Sequence, residues 1–286
     1  MVGEGSDRPK LPLSALKRAE SLSALRDGPL ARHELQDRLG VSRTTVHRIV
    51  SALEDDGLLV RDDDGYELTG FGHTTARAVD EYRETITAAE RLQPLLDCLP
   101  TTFDVPVRAF SDARLTTQQP GNPYAPVERF VGCLRESGSL RGIDTTSIAP
   151  IYVDAIRAEI LAGMTTDVVY LPSVVTSIVE AYPDDVARAV ESGELTLRTH
   201  DDLPCGLAIF DDRVALGGYD PETGMLRAFA DTDDPEARAW ALDVYDDYVS
   251  AGTVFYGPND TEPGLVSIEA DGGESTSDES ASADES

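Results

Sequence analysis

The 286-residue sequence predicts an α/β chain in two parts. A small N-terminal domain of helices is closed by a β-hairpin, and a larger C-terminal domain builds a mixed sheet from alternating helices and strands. Three observations predict this. Apolar residues recur at helical spacing from Leu16 to Leu53, and an alternating run centred on Asp64-Gly65 comes next. Residues 113–192 then alternate strand-like and helix-like segments. Among these, Asp167-Val-Val-Tyr-Leu171 is a continuous apolar run of the kind found in parallel strands buried on both faces. Finally, four strand-like segments between 194 and 231 succeed one another as a meander. The organisation read from these features is an arm over 1–13, a helical domain over 14–72, a connecting helix over 73–98, an α/β domain over 99–256 and an acidic disordered tail over 257–286.

In the first domain, Leu16, Ala19, Leu22 and Leu25 mark one helix ending near Gly28-Pro29. Leu35 and Leu39 share a face of the next helix. Gly40 can take the left-handed conformation that closes it, Val41 is the apolar turn residue, and Ser42 is a natural N-cap for a further helix. In that helix Val46, Ile49, Val50 and Leu53 fall at i, i+3, i+4 and i+7, a buried stripe that Gly57 ends. This is a helix-turn-helix, and the outer face of its second helix carries Arg43, Thr44, Thr45, His47, Arg48 and Ser51 beside the cap Ser42. Arg pairs with guanine edges, Thr meets a thymine methyl, and an α-helix fits the major groove of double-stranded DNA. Leu58 and Val60, then Tyr66 and Leu68, are the expected inward positions of the hairpin, which makes the domain a winged helix. Its tip is Asp62-Asp63-Asp64, so Arg61 is the wing residue suited to DNA.

Charge supports the same assignment. The chain has 24 basic and 53 acidic residues, net −29, a total that taken alone argues against nucleic acid. Residues 8–51, however, hold nine basic and four acidic residues, and no acid occurs between Leu39 and Leu53. Lysine occurs only at Lys10 and Lys17, and the carboxylate-rich, lysine-poor composition resembles proteins of salt-accumulating halophilic archaea. No window approaches the roughly 18 apolar residues of a membrane span, and the N-terminus lacks a secretory apolar stretch, so a cytoplasmic protein without membrane contact is expected. Cys98, Cys133 and Cys205 form no disulfide or metal framework, and the four histidines have no metal-ligand spacing; no metal or cofactor is expected.

The stretch SRTTVHRIVSALEDDGLLVRDDDGYELT resembles winged-helix regulators of the MarR and IclR type. Such a resemblance implies paired half-sites and a homodimer. In the connecting helix, Val79, Tyr82, Ile86 and Ala89, then Leu92 and Leu96, form a narrow apolar stripe. It can serve dimerisation or pack on the second domain, and Pro94 should kink or end it.

In the second domain, strands are expected at 113–118, 140–143, 167–171, 194–200, 206–211, 213–219 and 225–231. Helices are expected at 126–137, 150–162, 173–181, 184–192 and 234–251. The stretches NPYAPVERF, SIAPIYVDAI, ESGELTLRTHDDLPCGLAIFDDRVALGGYD and AFADTDDPEA resemble the second domain of archaeal winged-helix regulators named after the methanogenesis regulatory protein. With the winged helix, the resemblance covers about residues 15–250. It implies a phospholipase D-like sensor fold. The H-x-K motif of that chemistry is missing: no lysine comes after Lys17, and Asp201-Asp202 succeed His200. No catalytic residue is therefore assigned, and a non-enzyme is expected. A small-molecule effector would bind at the carboxyl ends of the parallel strands, where Thr146, Ser147, Tyr152, His200, Asp202 and Cys205 are the candidates. The plainer roles are a turn cap for His200, a helix cap for Ser147 and packing for Cys205. The expected function is a sequence-specific DNA-binding transcription regulator. Two alternatives stand beside it: an α/β phosphodiesterase or hydrolase using His200 with Asp201 or Asp202, and a protein-interaction module without DNA contact.

Overall fold

The computed structural model describes residues 10–62, 65–146 and 150–256. The first nine residues of the expected arm, Asp63-Asp64 at the hairpin tip, the candidate Ser147 and the acidic tail 257–286 lie outside the described residues, as does the side chain of Tyr152.

The first helix is two helices. α1 (Lys10–Lys17) and α2 (Ala19–Ala24) meet at Arg18, whose backbone leaves the helical region. The Arg18 guanidinium turns back on Ser14, donating to its carbonyl at 3.1 Å and its hydroxyl at 2.6 Å. The bend carries Ala15 and Ala19 into the same core as Leu22 and Leu25. α1 thus starts inside the stretch expected to be an arm. α3 (Arg32–Leu39) and α4 (Arg43–Asp55) come next, joined through Gly40 at φ 64°. Leu35, Val46, Val50 and Leu53 close the core.

β1 (Leu59–Asp62) and β2 (Gly65–Leu68) form the antiparallel hairpin. Its inward register differs from the expected one: Leu59 is buried and Val60 is 47% exposed. The Leu58 N–H donates back to the Leu53 carbonyl in the turn that closes α4, so strand alternation begins one residue later. Leu30 and Tyr66 exchange backbone hydrogen bonds at 3.0 and 2.9 Å, which ties the hairpin to the segment entering α3.

α5 (Gly70–Leu96) starts earlier than expected because Thr69 caps it, its hydroxyl accepting from Gly72 N–H at 2.9 Å. It runs through Pro94, which lies in the last turn and forfeits only the bond its missing N–H would make to Glu90. Ala76 and Val79 pack in the N-terminal core, while Leu92 and Leu95 are buried against the sheet of the second domain. Between them Tyr82 and Ile86 are 53% and 41% exposed, so the expected stripe is split.

The second domain contains β3 (Arg114–Thr117), α6 (Ala125–Arg135), β4 (Ser139–Asp144), α7 (Pro150–Leu161), β5 (Thr165–Tyr170), α8 (Pro172–Ala181), α9 (Pro183–Glu191) and β6 (Leu195–Thr199). It continues with β7 (Gly206–Ile209), β8 (Val214–Tyr219), β9 (Leu226–Thr232), α10 (Pro235–Ala251) and β10 (Thr253–Tyr256), a strand without a clear pattern in the sequence. The eight strands form one mixed sheet in the order β10-β6-β5-β4-β7-β8-β9-β3. β4, β5 and β6 are parallel; every other pairing is antiparallel.

Both faces are covered. Ile143, Val169, Leu207 and Leu216 face the end of α5, Phe110 and α10. Leu140, Val168, Phe210 and Phe229 face α6 to α9. Asp231, 4% exposed, fixes α6 to β9 by accepting two bonds from Arg129, at 2.8 and 2.5 Å, and a third from Arg213 at 3.3 Å. A buried carboxylate held this way satisfies its desolvation through charge-assisted bonds.

β4 and β7 meet where the parallel half gives way to the antiparallel half. A side-chain carbon at Gly142 would lie 2.1 Å from the Leu207 carbonyl oxygen. Gly142→Ala is therefore expected to part these strands and destabilise the domain by about 1–3 kcal/mol. Chemical denaturation in molar KCl measures this, and amide exchange should accelerate first at β4 and β7.

Candidate nucleic-acid interface and ligand cavity

The interface is built on α4. Ser42 caps it, its Oγ accepting from Thr45 N–H at 3.3 Å and lying 3.0 Å from Thr45 Oγ1. The cap sets the phase in which Val46, Val50 and Leu53 are buried and Arg43, Thr44, His47 and Arg48 are exposed. Ser51 Oγ lies 3.1 Å from His47 Nδ1, one turn away on the same face. Arg32, which the local sequence pattern does not single out, completes the surface. Its guanidinium donates to the Tyr66 hydroxyl at 2.7 and 3.3 Å, and it lines one shallow concavity with Arg43, Thr44, His47, Arg48, Ser51 and the acid Asp55. Tyr66 is a hairpin residue, so contact between distant segments, not local pattern, brings Arg32 there.

The arginines of this region divide by partner. Arg26 is paired with Asp80 and Arg38 with Asp27, at 2.7 and 2.8 Å. Arg43 and Arg48 have no carboxylate partner among the described residues. Arg61 stands exposed on β1 opposite Tyr66.

A second concavity lies between α6 and the sheet. It measures about 310 Å³ and is lined by Tyr124, Phe130, Asp144, Tyr219, Leu226 and Phe229, among others. Asp144 ends β4, and Tyr219 ends β8 and donates its hydroxyl to Asp144 Oδ2 at 2.7 Å. Thr146 N–H donates to Asp144 Oδ1 at 3.3 Å. Burial pushes the Asp144 carboxyl up to about 7 against these hydrogen bonds, and pushes the Tyr219 hydroxyl well above its usual range. Gly206 and Gly217 keep the floor open: a side-chain carbon on Gly206 would meet the Tyr219 hydroxyl at 3.1 Å.

Residues 8–91 match the HVO_A0261 N-terminal domain, and residues 123–251 match the middle domain of the methanogenesis regulatory protein FilR1. No curated protein matches the chain. Among solved structures, TrmBL2, described as an archaeal chromatin protein showing a novel mode of DNA binding, is similar at 15% identity, covering 83% of this chain and 93% of that one (TM-score 0.40). Nuc from Salmonella typhimurium, a phospholipase D family member, is similar at 17% identity over 51% of this chain and 98% of its own (TM-score 0.40). NucT from Helicobacter pylori is similar at 14% identity over 50% and 98% (TM-score 0.39). No described helix is long and apolar enough to cross a membrane.

In the second domain the expected effector residues separate. Thr146 lines the cavity. His200 and Asp202 do not: the His200 ring packs edge-on against Tyr248 of α10, on the opposite face of the sheet. His200 Nδ1 faces the Asp202 backbone N–H at 3.1 Å, which makes it a turn cap. Among the described residues no carboxylate pairs with the imidazole. Cys205 is core packing, its thiol pushed up by burial. Asp144 and Tyr219, which dominate the cavity, were not among the expected residues. The visible signal was an acid ending the buried strand LRGID.

Two outcomes are expected. Ser42→Ala should cost about 1 kcal/mol by removing the cap, read from thermal melts. The second concerns Asp144, whose folded-state carboxyl holds its proton more tightly than the unfolded one. Between about pH 4 and 7 the folded chain therefore binds more protons, and stability falls as pH rises through that window, by at most about 1.4 kcal/mol per unit. Asp144→Asn should flatten this segment of the melting-temperature profile.

Proposed function

We propose that the chain is a sequence-specific DNA-binding transcription regulator, acting as a homodimer and modulated by an effector at its second domain. The N-terminal domain is read as a winged helix, with α4 entering the major groove and Ser42, Arg43, Thr44, Thr45, His47, Arg48 and Ser51 at the bases and nearest phosphates. Arg32 and Arg61 reach the flanking backbone.

The observation that carries this reading is the pair Arg43 and Arg48. In a chain of net charge −29, they point outward from a helix face whose one acid, Asp55, stands at its far end, and they are claimed by no carboxylate among the described residues. Dimerisation is assigned to the free middle of α5. Phe71, Tyr82 and Ile86 are exposed on one side of that helix, eleven and four residues apart. Effector modulation is supported by β8: Gly217 lines the cavity, and Gly218, on the other face, backs directly against Leu95 and Cys98 at the end of α5. The phospholipase D-like fold is read here as a sensor without catalysis, in a salt-rich cytoplasm.

Arg43→Ala and Arg48→Ala should each weaken binding to sites recovered by chromatin immunoprecipitation by about 1–3 kcal/mol, measured by anisotropy at fixed salt. Unchanged affinity in both would remove α4 from the interface. The Tyr82→Glu, Ile86→Glu double variant should sediment as a monomer, with the same far-ultraviolet dichroism as the parent chain.

A further inference from the structure

We propose that the cavity between α6 and the sheet binds a compact organic cation, an ammonium group carried on an aromatic or aliphatic body. The Asp144 carboxylate is its counter-charge. The proposal deepens the sensor reading above, and rests on it for the regulatory consequence alone.

The lining decides the sign of the ligand. Its ionisable side chains are Asp144, Tyr124 and Tyr219; among the described residues it contains no arginine, lysine or histidine. A carboxylate or phosphate ligand would enter facing Asp144 with no opposite charge to receive it, which excludes acidic metabolites. A cation meets three favourable features. Asp144 is held in place by the Tyr219 hydroxyl and the Thr146 N–H, while no cationic side chain among the described residues contributes to its environment. Tyr219, its hydroxyl hydrogen directed to Asp144, keeps oxygen lone pairs that can accept from an ammonium. Phe130 and Phe229 meet edge to face at 6.0 Å beside it, and with Tyr124 they offer the aromatic surface that cations and apolar bodies both favour. The volume, about 310 Å³, suits a small metabolite and no larger. Because the pair would form inside the protein, molar salt would screen it far less than a surface contact.

The test uses the full chain in molar KCl. Calorimetric titration compares phenethylamine with 2-phenylethanol and phenylacetate, which share its aromatic body and differ in charge. The amine should bind at least about tenfold more tightly than the alcohol, a difference near 1.4 kcal/mol, and phenylacetate should not bind. Amine affinity should fall by about tenfold per unit as pH drops below about 7. The other groups around Asp144 are Tyr219 from β8, Tyr170 from β5 and Cys205 ahead of β7. Burial raises all three further above neutrality, so none of them titrates in that window.

Asp144→Asn should erase the preference for the amine. Should that variant fail to fold, the pH profile of the parent chain decides alone. Equal binding of alcohol and amine, binding of phenylacetate, a flat pH profile, or no amine binding at millimolar concentration would each overturn the proposal. Amine binding that leaves affinity for the immunoprecipitated DNA unchanged would uphold the cation site and overturn the sensor reading.

Discussion

The structure depends on one helix belonging to two hydrophobic cores. α5 supplies Ala76 and Val79 to the core of the N-terminal domain and Leu92 and Leu95 to the sheet of the second. Neither end can be withdrawn without exposing apolar surface, so the two domains are coupled through a rod with fixed ends and a solvent-washed middle. Gly218 makes the second attachment close: its missing side chain lets β8 approach the Leu95 backbone. α4 is connected to this rod indirectly, through the shared core and through the Leu30–Tyr66 bonds that hold the hairpin.

Charge is organised by the same logic of partners. Most carboxylates lie on the surface, but Asp231, Asp167 and Asp185 hold arginines that bridge elements, as in the two-bond Arg198–Asp167 contact between β6 and β5. Several arginines of the chain are claimed by a carboxylate in this way. Arg43 and Arg48 on α4 are not, among the described residues; exposed Arg61 and Arg77 share that state, and what sets the α4 pair apart is its place beside His47 and Ser51 on one helix face. Arg26 and Arg38 contribute to the regional excess of basic residues in the sequence yet are neutralised by Asp80 and Asp27.

Legibility in the sequence tracked the range of the interaction responsible. The stripe Val46-Val50-Leu53, the cap Ser42 and the turn glycine Gly40 are local, and all were readable. So was the hairpin, though its inward residue moved from Val60 to Leu59 because the chain leaves α4 through Leu58. The stripe on α5 was readable, but its division between buried and exposed portions depends on what stands beside it. The cavity was not readable. Asp144 and Tyr219 are 75 residues apart and are joined only because β7, inserted against β4, brings β8 near. His200 follows a strand, yet the sheet has two faces and the ring turns to the one opposite the cavity. β10 pairs only at the sheet edge, through four residues, too short a run to mark a strand by pattern.

The length of α5 carries a mechanical consequence. Its 27 residues make a rod of about 40 Å at 1.5 Å per residue. With one end seated on β8, a tilt of about five degrees there sweeps the other end through roughly 3.5 Å, close to the rise of about 3.4 Å between successive base pairs. A lever of that reach turns a tilt of a few degrees beneath Gly218 into a displacement of several ångströms at the N-terminal domain.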